Sequence, residues 1–193
     1  MNTFPRIQFC ILYFFFICVL LTSLNSYGKK IHDEKIGFTI GKFAPFHKGH
    51  QFLIETGLKE MDKFIVFVYD TTVIDIPTEQ RAKWIKDKYP NVEIRIAKNP
   101  PKKFGMDPES IKIQMDYLKS VLGNTKATHF YSSEKYGGAV AKNLGIIDRR
   151  VDNDRINVPI SATKIRGDLN SNKQYLSDEV YKDYVKYKEN HAK

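Results

Sequence analysis

Short apolar runs alternate with longer helix-patterned stretches beyond residue 30, and this alternation constrains the fold more than any other feature. The first two runs are nearly continuous and rich in β-branched and aromatic residues, as expected for parallel strands buried on both faces. The predicted strands are Ile36–Gly41, Phe64–Tyr69, Val92–Ala97, Thr128–Ser132 and Ile146–Val151. The predicted helices are Lys48–Met61, Thr78–Tyr89, Pro108–Leu122, Glu134–Leu144 and Ser177–Lys188. This order predicts an α/β fold, a Rossmann-like parallel five-stranded sheet flanked by helices with right-handed crossovers.

An apolar segment precedes the predicted domain, so we divide the chain into an N-terminal hydrophobic segment, 1–30, and a single domain, 31–193. Residues 9–24 are almost entirely apolar, and Lys29 and Lys30 follow them. A membrane anchor, a cleaved signal and a mistaken start of the sequence are the three interpretations that stay open. If the segment is an anchor, the lysine excess on its C-terminal side places the domain in the cytoplasm.

The charge balance predicts an anionic partner. The chain has a formal net charge of +9 and a pI near 9.4, which suits nucleic acid, a membrane surface or a phosphorylated small molecule. Both cysteines, Cys10 and Cys18, lie in the N-terminal segment, so the predicted domain has neither a disulfide framework nor a cysteine-based metal site. Charge alone does not choose among these partners.

The decapeptide from Gly41 to His50 is the strongest candidate for a functional site. It joins the first predicted strand to the first predicted helix, at the edge of the sheet where such folds bind ligands. The helix start favours an anion through its free N–H groups, and two imidazoles and Lys42 add donors. We expect His47 and His50 to donate to a phosphate. A metal pair is the alternative, but no third histidine or carboxylate is nearby in sequence, so we expect no metal bound by these rings.

A second helix start, near residues 161–166, repeats this chemistry far along the chain. The hydroxyls of Ser161 and Thr163 and the guanidinium of Arg166 can hold outer phosphates. Alone, this pattern indicates only a capped helix, because serine is common before helices. Together, the two helix starts predict a clamp for a polyphosphate.

These two segments resemble the nucleotidyltransferase superfamily that carries HxGH and SxTxxR motifs. The similarity covers about residues 36–185 and is strongest to the nicotinamide mononucleotide (NMN) adenylyltransferase half of the bifunctional NAD-salvage regulator. Two further segments, which begin at Tyr131 and Val151, are also similar to that subgroup. The resemblance implies a nucleotidyltransferase fold and a site in which His47, His50 and Arg166 act in catalysis. It also implies that ATP is bound by Gly41, Lys42, Phe43, Gly49, Ser161 and Thr163.

The resemblance further implies an ATP-dependent transferase that gives NAD and pyrophosphate from NMN, with Mg²⁺ held mainly by ATP oxygens. The expected partners are ATP and a phosphorylated small-molecule acceptor, and not nucleic acid; a homo-oligomer and a membrane tether through residues 9–24 stay open. The acceptor residues implied are Tyr69, Asp70, Arg81, Trp84 and Arg155. For two of these a structural role is the alternative: Trp84 as a core aromatic, and Arg155 as a partner of Asp152 or Asp154.

Two other functions remain as alternatives. The first is a related adenylyl- or cytidylyltransferase that uses phosphopantetheine, FMN or a polyol phosphate. Against it, residues 157–160 lack the Arg-Thr-x-Gly run typical of cytidylyltransferases, and His47 stands where phosphopantetheine enzymes tend to have threonine. The second is a non-catalytic nucleotide-binding domain, which the N-terminal apolar segment suggests. The long loop 99–108, which contains two prolines, is either a substrate loop or a connector.

Overall fold

Five parallel strands form one sheet in the computed structural model, which describes residues 33–103 and 105–190. The strands are β1 (Ile36–Gly41), β2 (Lys63–Tyr69), β3 (Glu93–Ala97), β4 (His129–Ser132) and β5 (Ile147–Arg150). The helices are α1 (Lys48–Glu60), α2 (Thr78–Lys88), α3 (Pro108–Leu122), α4 (Gly137–Leu144), α5 (Ala162–Gly167) and α6 (Asp178–Asn190), with a 3-10 turn at Lys173–Tyr175. The predicted fold class is confirmed.

The strand order β3-β2-β1-β4-β5 places a topological switch point between β1 and β4. From β1 the chain first builds outward through β2 and β3, and then returns to build β4 and β5 on the other side. The crossovers that leave β1 and β4 therefore diverge, and a crevice opens beyond the carboxyl ends of these two strands. The decapeptide after β1 lies at this crevice.

Alternating side chains of the strands supply two separate cores. On β2, Phe64, Val66 and Val68 face a core with α1, α2 and α6, and the intervening residues Ile65 and Phe67 face a second core with α3 and α4. This alternation is the period of a strand buried on both faces. Gly57 brings α1 close to the sheet, because an added Cβ would lie 2.1 Å from the Phe64 ring.

The predicted boundaries differ from the observed ones mainly at α4. We predicted this helix from Glu134, but it begins at Gly137. Residues 133–136 form a turn instead, because the Gly137 N–H donates to the Glu134 carbonyl at 3.2 Å and the Ser132 hydroxyl donates to the same carbonyl. This turn carries Glu134 to the crevice.

The N-terminal segment, including residues 9–24, lies outside the described residues, so the three interpretations of it stay predictions. The proposed boundary near residue 30 stays a prediction for the same reason. Over the part of the chain that the structure describes, no helix combines the length and apolarity that crossing a bilayer requires.

Candidate active site

A cavity of about 560 Å³ opens at the switch point and brings the two helix starts together. Every residue predicted to bind ATP or to act in catalysis lines it: Gly41, Lys42, Phe43, His47, Gly49, His50, Ser161, Thr163 and Arg166. Residues about 120 positions apart in the chain thus form one wall. The juxtaposition expected from the sequence is present in the fold.

The two imidazoles cap the N-terminus of helix α1. His47 is the N-cap, and its Nδ1 accepts the Gly49 N–H at 3.1 Å. His50 completes a capping box, since its Nδ1 accepts the His47 N–H at 3.4 Å. Because both Nδ1 atoms accept hydrogen bonds, the neutral rings carry their proton on Nε2. Two Nε2–H donors are therefore held in place by the local backbone.

Burial keeps both rings uncharged. Burial, and after it the positive charges of Arg155 and Arg166, lower the pKa of His47 to about 3. The pKa of His50 also lies well below its usual value, first because of burial and then because of the adjacent His47 and Arg155. The rings stack with centroids 3.7 Å apart, a separation that two cations would oppose. Neutral donors are thus the resting state of this pair.

Gly49 is required by the packing of the His47 ring. A Cβ at this position would lie 3.0 Å from Cε1 and 3.1 Å from Nδ1 of His47. The nearest neighbour of the missing side chain is thus the imidazole itself. An added Cβ would require the ring to shift by a few tenths of an ångström, against the N-cap hydrogen bond.

Helix α5 presents its start to the same cavity. Ser161 is its N-cap and accepts the Lys164 N–H at 3.2 Å. The Arg166 guanidinium donates to Thr163 Oγ1 at 3.0 Å and to the Ala44 carbonyl at 2.7 Å. The second contact joins the two motifs directly, because Ala44 belongs to the decapeptide. Both terminal nitrogens of the Arg166 guanidinium therefore have a hydrogen-bond partner that orients the group.

Lys42 and Phe43 complete the wall on the β1 side. Burial and the nearby Arg166 lower the pKa of Lys42. Phe43 has a positive φ of 49° and packs its ring edge-on against His50 at 4.8 Å. The left-handed backbone turns the chain sharply after β1, so that both side chains reach the cavity.

Arg155 also lines the cavity, although its partner differs from those expected. It forms an ion pair with Glu134 at 3.1 Å and not with either aspartate. Asp152 instead holds its own loop, accepting the N–H groups of Asn157 at 2.9 Å and Val158 at 2.8 Å. The guanidinium of Arg155 thus lies at the cavity wall, paired with Glu134.

Three of the predicted acceptor residues, Asp70, Arg81 and Trp84, do not line the cavity. Trp84 is 2% exposed in the core, where its indole N–H donates to Asp183 on α6 at 2.7 Å. Arg81 is 1% exposed and donates to backbone carbonyls and to Thr78. Asp70 accepts the Thr78 hydroxyl. Packing of α2 against the sheet turns the face that carries Arg81 and Trp84 inward.

Tyr69, the remaining predicted acceptor residue, lines both the main cavity and a second one. The second cavity has a volume of about 300 Å³ and shares Ile40, Tyr69 and Tyr136 with the first. Its other walls come from α3 and α4 and from the long loop after β3, including Pro100, Pro101, Met106, Gln114 and Tyr117. In the sequence, the length of that loop and its two prolines were the only signals of this cavity. Nothing in the sequence showed that the two prolines face a cavity.

The cavity carries acidic side chains that already have partners. Its acidic side chains, Glu134 and Asp152, are engaged by Arg155 and by backbone N–H groups. Within residues 33–103 and 105–190, no three His, Cys, Asp or Glu side chains gather as a ligand set. A hard divalent cation prefers oxygen ligands, which a triphosphate supplies.

This protein has a β3-β2-β1-β4-β5 sheet with the two helix starts at its switch point, which is the nucleotidyltransferase-type fold. Residues 37–98 match the family model described as the citrate lyase ligase C-terminal domain. This match includes the whole decapeptide. It ends before β4 and α5, so the second motif is supported by the fold and not by this match.

Solved nucleotidyltransferase-fold structures are similar over most of the chain. The NadR protein in complex with NAD and AMP-PNP is 21% identical, with 74% of this chain and 44% of that chain covered and a TM-score of 0.55. A bifunctional NMN adenylyltransferase/ADP ribose pyrophosphatase from Francisella tularensis, complexed with AMP and a Mn ion, is 20% identical, with 79% and 52% covered and a TM-score of 0.51.

A putative nicotinate-nucleotide adenylyltransferase from Vibrio parahaemolyticus is 14% identical, with 79% of this chain and 99% of that chain covered and a TM-score of 0.53. At these identities the solved structures establish the fold. The chain spans less than half the length of NadR. The resemblance expected from the sequence is thus confirmed at the level of the fold.

Proposed function

We propose that this protein transfers AMP from ATP to a phosphate-monoester acceptor, NMN, so that NAD and pyrophosphate form. One observation carries the proposal: His47, His50, Ser161, Thr163, Arg166 and Lys42 surround a single cavity at the switch point of the sheet. The similarity to structures named for NMN and nicotinate-nucleotide adenylyltransferases, and to NadR with NAD bound, supports this acceptor class.

The reaction needs little beyond alignment and charge neutralisation. An oxygen of the acceptor phosphate attacks the α-phosphorus of ATP, and the bond from that phosphorus to the bridging oxygen breaks to release pyrophosphate. The acceptor phosphate has a second pKa of about 6, so it is largely ionised at neutral pH and needs no general base. Alignment alone provides effective molarities of roughly 10⁵–10⁸ M.

Each protein group then has a definable task. The Nε2–H groups of His47 and His50 donate to the α-phosphate as charge develops on its oxygens. The start of α5 and the Arg166 fork hold the β- and γ-phosphates and neutralise the leaving pyrophosphate. Fixed donors of this kind are worth about 2.7–4 kcal/mol each in the transition state. Mg²⁺, bound to ATP oxygens, supplies further charge neutralisation when the nucleotide is bound.

We place the non-reacting part of the acceptor in the second cavity. That cavity adjoins the first through Tyr69 and Tyr136, so a phosphate in the main cavity and a ring in the second can belong to one molecule. Tyrosine, proline and methionine walls suit a flat heteroaromatic ring. Arg155, at the main cavity, can pair with the acceptor phosphate.

The direct test is His50→Ala. Loss of a fixed donor lowers kcat by about 10²–10³-fold, with a smaller change in the KM for ATP. Pyrophosphate release from ATP and NMN measures it. His129→Ala is the control. His129 lies at the amino end of β4, and the cavity lies beyond the carboxyl ends of the strands, so this change should leave kcat near the wild-type value. Wild-type turnover in folded His50→Ala would remove this histidine from the mechanism.

The acceptor is identified by a separate experiment. ATP and CTP are each combined with NMN, nicotinate mononucleotide, phosphopantetheine, FMN and a polyol phosphate, and pyrophosphate release is measured. We expect turnover with ATP and NMN. Turnover only with CTP would indicate a cytidylyltransferase, and tight nucleotide binding without release under any combination would indicate a binding domain.

A further inference from the structure

Arg81 is a buried charged side chain that lines neither cavity. It lies in the first turns of α2 and is 1% exposed. Its described hydrogen bonds all go to neutral oxygens. Nε donates to the Ile76 carbonyl at 3.1 Å, Nη2 donates to Thr78 Oγ1 at 2.7 Å, and Nη1 donates to the carbonyls of Lys42 and Tyr69.

The contacts of Nη1 fall just beyond the end of the ladder between β1 and β2. The β1–β2 ladder ends at the pair Gly41 and Val68. Lys42 and Tyr69 are the residues that follow this pair, and one nitrogen of Arg81 bridges their carbonyls. Lys42 lines the main cavity, and Tyr69 lines both cavities. The guanidinium therefore joins the nucleotide side of the crevice to the acceptor side.

The remaining contacts fix the segment between β2 and α2. Ile76 belongs to the loop that connects them, and the Thr78 hydroxyl that accepts from Nη2 also donates to Asp70, just after β2. A buried charge carries a desolvation cost that well-packed apolar residues avoid. The Arg81 guanidinium offsets this cost because its N–H groups donate to carbonyls on three segments at once. A lysine ammonium does not have this planar set of donors.

We propose that Arg81 is a positioning residue for the transferase reaction: it sets the separation between the nucleotide loop at Lys42 and the acceptor wall at Tyr69. The proposal rests on the proposed function. Arg81 touches no substrate, so its loss acts on alignment and lowers kcat more than it weakens binding of either substrate. Misalignment of reacting groups is costly because the rate depends on near-attack geometry.

The test compares Arg81→Lys with Arg95→Lys. Arg95 is an arginine on β3 that bonds to Glu93 and Thr125 and lines neither cavity. We expect Arg81→Lys to lower kcat at least about tenfold with each KM changed less than about threefold. Arg95→Lys should keep wild-type values. A folded Arg81→Lys protein with wild-type kcat, or one that loses only thermal stability, would overturn the proposal.

Chemical rescue separates a missing guanidinium from a general loss of structure. Guanidinium chloride at tens of millimolar should restore part of the kcat of Arg81→Ala, and potassium chloride at the same concentration should not. An equal response to both salts would contradict the proposal. If Arg81→Ala does not fold, the Arg81→Lys comparison decides alone.

A readout without turnover makes this test independent of the proposed function. Hydrogen–deuterium exchange in the free protein should rise at residues 42–46 and 69–77 in Arg81→Lys, and not in Arg95→Lys. Absence of pyrophosphate release from wild-type protein would reject the proposed function, and the exchange result would still stand. Unchanged exchange at both segments would reject the positioning role.

Discussion

At the scale of single residues, His47 and His50 combine a structural and a chemical task. Each uses Nδ1 to accept a backbone N–H at the start of α1, which leaves Nε2–H as the donor available to a ligand. Protonation of Nδ1 would remove the acceptor and add a charge next to Arg155 and Arg166. The capping contacts and the lowered pKa values therefore favour the same neutral form.

This coupling predicts that acid destabilises the free protein through His47. Its pKa is about 3 in the folded state and about 6.5 when unfolded, so the unfolded chain binds the proton first as the pH falls. Stability present above pH 6.5 is then lost progressively towards pH 3, by about 2 kcal/mol at pH 5. Urea unfolding at pH 7 and pH 5 measures this loss.

The comparison protein for that measurement is His47→Asn, which retains an N-cap acceptor but does not titrate. It should lose less stability than the wild type between the two pH values. Parallel losses in the two proteins would show that His47 is not responsible for the acid sensitivity.

At the scale of elements, the loop after β3 and helix α3 build a cavity that neither could form alone. Met106 in the loop and Gln114 on α3 lie on its wall, and the Gln114 side chain donates to the Gly105 carbonyl at 3.0 Å. Asp107 caps α3 by accepting the Ser110 N–H at 3.0 Å, which fixes where the loop ends. A connector with these contacts is suited to shape a ligand site.

Met106→Glu tests whether this cavity takes the acceptor. Met106 is 61% exposed, so the fold should tolerate the change, while the new carboxylate opposes a phosphorylated ligand. We expect the KM for the acceptor to rise at least about tenfold, a cost of about 1.4 kcal/mol, with the KM for ATP nearly unchanged. Met106→Leu is the matched control. A larger effect on ATP than on the acceptor would assign this cavity to the nucleotide.

At the scale of the whole molecule, α6 closes the core on the side of α1 and α2. Asp183 on α6 accepts from Gln80 at 2.8 Å and from Trp84 at 2.7 Å, both on α2. Val180 and Tyr184 on α6 join the same buried cluster as Trp84. These contacts span about a hundred residues of sequence, so the end of the described chain stabilises its middle.

Asp183→Ala should lower the free energy of unfolding by about 1–3 kcal/mol, because it leaves the buried indole N–H without an acceptor. Fluorescence of Trp84, the only tryptophan in the chain, reports the unfolding transition. Asp116→Ala is the control: its pair with Lys112 is exposed, and the change should stay within about 0.5 kcal/mol. Equal effects would mean that Asp183 contributes no more than a surface charge.

The sequence by itself determined the α/β fold and the two helix starts, because both depend on short-range patterns. Strand and helix periods are set within a few residues, and the capping contacts of His47, His50 and Ser161 span three residues or fewer. The turn that makes α4 begin at Gly137, and not at the predicted Glu134, is also held by contacts between residues close in sequence. These features follow from neighbours along the chain.

Only the tertiary structure decided which face of α2 points inward and what lies beside the main cavity. Arg81 and Trp84 are three residues apart and share a helix face, but the pattern does not say whether that face meets a ligand or the core. Packing of α2 against β2 and α6 buries both. The second cavity depends likewise on the distance between the loop after β3 and α4. Such choices arise from contacts between distant segments, for which a single sequence carries no local signal.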